Sequence, residues 1–306
     1  MSLRQLSVTV RAPAKVNLHL GVGAPREDGF HPLVTVYQAV GLCDDVHVER
    51  SPGWTLGVTL PDWIDPDVLP VTGDNIIDRA AHLLAAHHGV EPRASVSVTK
   101  SIPVAGGMAG GSADAAAALV ALDRLWDVRT PDDDLLEIAA ELGSDVPFAL
   151  LGGTALGTGR GELVEPVADP STWWWVVVPS REGLSTPAVY RRFDELNPDA
   201  PEEPESANAL LLALATGNPE ALAAALHNDL EEAAVDLRPD LADLLALGEN
   251  SGALRGLVSG SGPTCVFLTT GPDDARGVAG ELSAAGHEVV LVTNGPVAGA
   301  HVVTYA

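Results

Sequence analysis

Residues 103–118 constrain the chain more than any other stretch: a glycine-rich loop, Pro-Val-Ala-Gly-Gly-Met-Ala-Gly-Gly, runs straight into an alanine-rich segment. Gly106, Gly107, Gly110 and Gly111 carry no Cβ, so the backbone there can take φ > 0, approach a ligand and turn several N–H groups towards one point. A helix is predicted over 112–126, and its unpaired N-terminal N–H groups and positive dipole end face that same point. An anion belongs there. The stretch is not a Walker loop, because Gly110-Gly111-Ser112 has no lysine, and it contains no G-x-G-x-x-G turn. Taken alone, it is equally a glycine turn capped by Ser112.

The flanking segments add chemistry. Residues 94–100 alternate as a strand ending in Lys100, so strand, loop and helix form one unit. Residues 7–22 alternate on both sides of Pro13, which predicts two strands broken at Ala12-Pro13-Ala14, where proline cannot donate to a ladder. In the second of these, Lys15, Asn17 and His19 share one face. That face is either solvated or the lining of a polar pocket. The turn Arg26-Glu-Asp-Gly-Phe-His31 presents Phe30 beside His31, a pair able to stack on a heterocycle and bond its edge, though singly they read as a core aromatic and a surface histidine.

Strands are predicted near 33–41 and 45–50, a Pro/Asp-rich connection near 61–74, and a helix over 75–88 with Asp74 as its cap. A helix over 131–142 precedes Leu142-Gly-Ser-Asp-Val-Pro-Phe148, where Asp145 is a capping residue or a chemical group, and short strands are predicted near 148–158 and 162–167. Trp173-Trp-Trp-Val-Val-Val reads as a buried strand opening a second unit, and Ser185-Thr-Pro as a helix start. Helices over 206–216, 218–235, 239–250 and 272–285, with strands at 256–259, 264–270 and 287–293, predict a small antiparallel sheet with helices on one side.

A chain of 306 residues is long enough for two domains, placed at 1–168 and 169–306. No apolar run reaches the ~18 residues of a membrane span, and Met-Ser-Leu-Arg-Gln-Leu-Ser-Val lacks the apolar core of a signal peptide, so a cytoplasmic protein is expected. Cys43 and Cys265 lie far apart and outside any C-x-x-C pair, as reduced core residues do. A net charge of −25 disfavours nucleic acid and anionic membrane as partners, and a small anionic ligand would need local positive charge. The chain has 15 arginines but two lysines, Lys15 and Lys100, both inside motifs. That bias points to sites where a compact ammonium serves and a guanidinium fork does not.

Ala12-Pro-Ala-Lys-Val-Asn-Leu18, the loop and helix of 103–118, and Leu257-Val-Ser-Gly-Ser-Gly-Pro-Thr-Cys-Val-Phe267 occur in this order and spacing. Together they resemble the three motifs of the GHMP small-molecule kinases, the superfamily of galactokinase, homoserine kinase and mevalonate kinase. Asp28-Gly-Phe-His31, Lys100-Ser-Ile-Pro103, Leu142-Gly-Ser-Asp-Val-Pro147 and Ser185-Thr-Pro-Ala-Val-Tyr190 look like the branch whose acceptor is a cytidine-diphosphate-linked methylerythritol. The resemblance implies an α+β, two-domain fold: an N-terminal ATP-binding and catalytic domain, like domain 2 of ribosomal protein S5, and a ferredoxin-like C-terminal domain. It implies ATP and Mg²⁺ as cofactors, a small-molecule acceptor and a monomer or homodimer.

Residue by residue, the resemblance implies that Pro103, Val104, Ala105, Gly106, Gly107, Met108, Ala109, Gly110, Gly111, Ser112 and Ala113 hold the ATP phosphates. Asn75 and Lys100 would lie by the nucleotide, and Ser112 by the magnesium. Lys15 and Asp145 would be the catalytic pair, Phe30 and Tyr190 would flank the cytosine, His31 would bond its edge, and Asn17 would place the acceptor hydroxyls. The chain departs from the pattern at Phe30, where a tyrosine is usual, and at Ala105 and Ala109, where glycines are common.

Overall fold

Two long antiparallel strands carry most of what positions the site in this computed structural model, which describes residues 7–64, 75–104, 106–180 and 182–305. They are β1 (Ser7–Val22) and β2 (Leu33–Glu49), paired along nearly their whole length. The break expected at Pro13 does not occur. Register shifts between Pro13 and Ala14, where the partner steps from Cys43 to Val40, so a bulge in β2 absorbs the irregularity and both strands run on. Val8, Val10, Ala12, Ala14, Val16 and Leu18 of β1 are all fully buried. Lys15, Asn17 and His19 are buried as well, and Lys15 and Asn17, though not His19, line a cleft rather than a solvated face.

The chain continues through β3 (Trp54–Thr59), α1 (Ile76–His88), β4 (Ala94–Thr99), α2 (Gly110–Trp126), α3 (Asp132–Leu142), α4 (Val146–Leu151), β5 (Thr154–Thr158) and β6 (Leu163–Pro166). The first sheet runs β12-β1-β2-β4-β3, with β5 and β6 hanging from β2; its β12 (His301–Tyr305) comes from the far end of the chain. Helix α2 is the central one, its alanines 113, 115–118 and 121 all inaccessible, so small side chains let it pack closely against its surroundings. Segment 146–151 is a helix where a strand was expected, because Pro147 is tolerated in a first helical turn and Gly152, at φ 67°, ends it. The cap of α1 is Asn75, whose Oδ1 accepts from Ile77 N at 2.9 Å; the expected cap, Asp74, lies outside the described residues.

The rest of the chain adds β7 (Trp173–Val178), α5 (Thr186–Leu196), α6 (Asn208–Thr216), α7 (Pro219–Ala225), β8 (His227–Asn228), α8 (Glu231–Leu237), α9 (Asp240–Asn250), β9 (Arg255–Val258), β10 (Cys265–Thr269), α10 (Pro272–Ala284) and β11 (Leu291–Gly295). The second sheet is antiparallel in the order β11-β7-β10-β9, the fourth, first, third and second of its strands along the chain, as in a ferredoxin-like sheet. The helix expected over 218–235 is interrupted, because β8 pairs with β1 in the first sheet. With β12 also in the first sheet, the chain crosses back twice after residue 169, and a division at 168/169 does not separate the sheets. Trp173, Trp175 and Val177 join the core of the first unit, and Trp175 Nε1 donates to the buried Gln38 Oε1 at 2.9 Å. Among the described residues no helix is long and apolar enough to cross a membrane.

Candidate functional site

A cleft of about 1110 Å³ lies where β1, the loop before α2, α4, α5 and the turn after β9 converge. Helix α2 begins at Gly110, two residues earlier than expected, so Ser112 lies inside its first turn rather than at the cap. The cap position is Ala109, in the left-handed region at φ 57° with no side-chain hydrogen bond to the helix. An alanine there costs about 1–3 kcal/mol, and it leaves the helix N–H groups open towards the cleft. Gly111 is exposed, and a Cβ there would meet nothing within 4 Å.

The other loop glycines answer to the protein itself. A Cβ on Gly107 (φ 78°) would stand 2.0 Å from the Ser259 carbonyl, and one on Gly106 would stand 2.4 Å from Thr264 Oγ1. Ser259 Oγ donates to the Gly107 carbonyl at 3.2 Å and Thr264 N to the Gly106 carbonyl at 3.3 Å. The loop is therefore clamped to the turn at 259–264. Pro103 and Val104 line the cleft, whereas Met108 and Ala113 are fully buried in the core; Ala105 lies outside the described residues.

Lys15 Nζ donates to Asn17 Oδ1 at 2.6 Å and stands 3.9 Å from Asp145 Oδ2, above the Tyr37 ring at 5.8 Å from its centroid. Burial pulls the Lys15 pKa below its ordinary value, against the attraction of Asp145. Asp145 occupies the cap position of α4 but its side chain caps nothing, so its carboxylate is available to the cleft, where it is partly exposed. Asn17 is spent on the protein: Oδ1 on Lys15 and Nδ2 on Thr35 Oγ1 at 2.8 Å. It holds the ammonium directly and also lines the cleft. Gly260, at φ 58°, closes over this pair, since a Cβ there would stand 3.2 Å from Lys15 Nζ. Asn228 of β8 holds that turn, its Nδ2 donating to the Val258 and Gly260 carbonyls at 2.8 Å each.

Lys100 has a different setting. Its ammonium donates to Asp44 and, at 2.6 Å, to Asp114 Oδ2, with all three side chains buried. Burial works against the charged lysine, but the two carboxylates outweigh it and its pKa is raised. Burial, with Asp44 close by, pushes Asp114 up to about 8 despite Lys100. Asp114 Oδ1 is buried with no hydrogen-bond partner, which accords with that direction. Asp44 Oδ1 accepts from Ile102 N at 2.9 Å, so this cluster fastens β2, the start of the loop and α2 together.

On the opposite wall His31 is buried, with its ring 4.9 Å from Tyr190 and its Nε2 2.8 Å from Asp194 Oδ1. Phe30 is half-exposed, under the Arg160 guanidinium at 4.8 Å. Asn75 also lines the cleft. Tyr37, Asp114, Arg160 and Asp194 were not expected here. Asp194 was findable, four residues after Tyr190 on one helix, and so was Asp114, one residue past Ala113 on α2, whereas Tyr37 and Arg160 enter only through strand register and hairpin geometry. The arrangement unites an anion-receiving helix start, an ammonium beside a carboxylate, and a ring cluster with hydrogen-bonding edges.

A family model described as "GHMP kinases N terminal domain" matches residues 75–153, and one described as "GHMP kinases C terminal" matches 210–288. A protein of a Nocardioides species named 4-diphosphocytidyl-2-C-methyl-D-erythritol kinase is 71% identical over 297 residues, covering 97% of this chain and 100% of that protein. One of the same name from Thermobifida fusca is 53% identical, covering 97% and 98%. A solved 4-(cytidine 5'-diphospho)-2C-methyl-D-erythritol kinase superposes with a TM-score of 0.74 at 34% identity, covering 94% of this chain and 98% of that one. Mevalonate kinase of L. major shares the fold at a TM-score of 0.74 and 17% identity, covering 94% and 96%.

Proposed function

The chain belongs to the GHMP kinases, and from that premise we propose that it transfers the γ-phosphoryl group of ATP to the 2-hydroxyl of 4-diphosphocytidyl-2-C-methyl-D-erythritol, a step of the non-mevalonate route to isoprenoid precursors. The observation that carries the choice of acceptor is the ring cluster of Phe30, His31 and Tyr190 in the same cleft as the Lys15 and Asp145 pair. A base-binding wall has no use for a small alcohol such as homoserine or mevalonate.

Phosphoryl transfer passes through a loose transition state, so positioning and charge stabilisation do most of the work. The open N-terminus of α2 and Gly111 receive the phosphates, and Asn75 and Val104 line the nucleotide's side of the cleft. Asp145 orients the acceptor hydroxyl and takes its proton as the new O–P bond forms and the bond from the γ-phosphorus to ADP breaks. A carboxylate is a weak base towards an alcohol, so it accepts that proton late, once the alcohol is already losing it. Lys15 stabilises charge on the transferring group. Because burial lowers its proton affinity, an arriving phosphate strengthens its hold on the proton. Lys100 acts one step removed, by holding the loop and α2 in place through Asp44 and Asp114.

Magnesium takes hard oxygen donors, and the Ser112 hydroxyl in the first turn of α2, which lines the cleft, is such a donor and would hold the ion beside the nucleotide phosphates. When bound, the ion neutralises phosphate charge. The reading is tested by ³¹P NMR of reactions with ATP and the cytidyl acceptor, homoserine or mevalonate. A new phosphomonoester is expected with the cytidyl acceptor alone; turnover of another acceptor, or of none, contradicts it.

A further inference from the structure

We infer that Thr35 is a positioning residue for phosphoryl transfer: through Asn17 it sets where the Lys15 ammonium stands, an assignment that rests on the transfer role given to Lys15 above. Thr35 is fully buried and does not line the cleft, so it acts on the site through its neighbours. One chain of hydrogen bonds joins it, on β2, to Lys15, on β1. Lys15 Nζ donates to Asn17 Oδ1 at 2.6 Å, Asn17 Nδ2 donates to Thr35 Oγ1 at 2.8 Å, and Thr35 Oγ1 donates to the His19 carbonyl at 2.7 Å.

The chemistry of these groups allows the chain one polarity. An ammonium only donates, so the Asn17 oxygen must face Lys15 and the amide nitrogen must face Thr35. That nitrogen also only donates, so the Thr35 hydroxyl must accept from it and send its single proton elsewhere. The His19 carbonyl takes that proton. β1 is bulged at this point: Asn17 pairs with Tyr37 and His19 with Val36, so the ladder skips a residue between the amide and the carbonyl that the relay joins. Without the hydroxyl the far side of the amide has no acceptor, and an Asn17 turned over would aim N–H groups at a buried ammonium.

Lys15 depends on that amide. Its main-chain N–H is fixed to the Met108 carbonyl at 3.1 Å, but its ammonium rides on a flexible stem, and the carboxylate of Asp145 stands 3.9 Å away. The titratable groups that face it are Asp145, from the start of α4, and Tyr37, from β2, while the turn after β9 presents Gly260. Neither titratable group is touched by a change at Thr35. The Thr35 methyl packs over Gly157, where a Cβ would stand 2.9 Å from Thr35 Cγ2. A valine in place of Thr35 therefore keeps that packing and exchanges only the hydroxyl for a methyl.

The test combines steady-state kinetics with NMR titration of the two lysines in ε-¹³C-lysine-labelled wild type, Thr35→Val and Thr35→Ser. Thr35→Val should lower kcat by about tenfold, the scale of one hydrogen bond, with the KM for ATP within about twofold. A hydrogen bond to the charged form of a group holds its pKa up, so the Lys15 titration and the alkaline limb of kcat/KM should both move to lower pH while the Lys100 signal is unchanged. Thr35→Ser, which keeps the hydroxyl, should restore each of these. In an Asn17→Ala background Thr35→Val should add less than about twofold to the loss, since the relay is already cut. A wild-type Lys15 titration in Thr35→Val, a serine that does not rescue, or losses that multiply in the double variant would each overturn the assignment and leave Thr35 a packing residue. Should Thr35→Val not fold, Thr35→Ala, which also lacks the hydroxyl, carries the same expectations. A wild-type protein that phosphorylates no cytidyl acceptor overturns the acceptor reading, and the lysine titration then decides the relay by itself.

Discussion

Lys15 and Lys100, the two lysines of the chain, are both buried, and their surroundings treat them in opposite ways. Lys100 sits between two carboxylates that raise its pKa, while Lys15 has an amide oxygen at 2.6 Å, one carboxylate at 3.9 Å and a lowered pKa. A fully compensated ammonium is a fastener. An under-compensated one is held in readiness for an anion that the protein does not itself supply. The difference lies in the number of counter-charges within reach, since depth of burial is nearly the same.

Substitutions should separate the two roles, and the largest effect is expected at Lys15. Lys15→Met should lower kcat by roughly 10²–10³, the scale of losing one electrostatic donor to the transition state. It should at the same time hold or raise Tm, because it removes a buried and poorly compensated charge. Steady-state kinetics beside a thermal melt check both halves, and a large fall in Tm would put Lys15 with the fasteners. Lys100→Met should do the reverse. It leaves the buried acidic groups of Asp44 and Asp114 without their ammonium partner and should cost about 3–5 kcal/mol in denaturant unfolding. Any activity loss beyond the unfolded fraction would move Lys100 towards the chemistry.

A smaller effect is expected at Asp114. Its pKa is about 8 in the folded chain against an ordinary 3.8, so the native state holds the extra proton between those values. The stability linked to this group is therefore complete below about pH 4 and lost as pH rises through about 8. Asp114→Asn should flatten that decline and be the more stable form at pH 9 by about 1 kcal/mol, measured by urea midpoints across pH. The smallest effect concerns the pH profile of turnover. Because the Lys15 pKa is lowered from 10.5 and its charged form is the active one, kcat/KM of the free enzyme should fall on the alkaline side before pH 10.5. With substrates saturating, that limb should move upward as phosphate restores the ammonium.

Much of this was legible in the chain before any fold was known. The glycine loop, the helix behind it and the two lysines were visible because each is a local pattern. The two long strands were not, because a proline stops a ladder only when no bulge is available, and the bulge depends on residues 41 and 42 in the partner strand. Asp145 was ambiguous as a turn residue until α4 showed a cap position with an uncapping side chain. Asn17 was legible as a residue of the site, but its hydrogen bond to Thr35 on the partner strand was not. The Asp44 and Asp114 cluster and Arg160 lie furthest from local pattern, since 56 residues separate Lys100 from Asp44 and nothing short in the sequence pairs them. The helix expected over 218–235 failed for the same reason: β8 answers to β1, about two hundred residues away.

The most direct test of the account is single-turnover phosphoryl transfer from ATP to the cytidyl acceptor by Asp145→Asn, run beside calorimetric binding of ATP and cytidine diphosphate. The account predicts both affinities within about twofold of wild type and a transfer rate lower by roughly 10²–10⁴, the scale of a lost proton acceptor. Transfer at near wild-type rate, or a loss of transfer that merely follows a loss of binding, would contradict it.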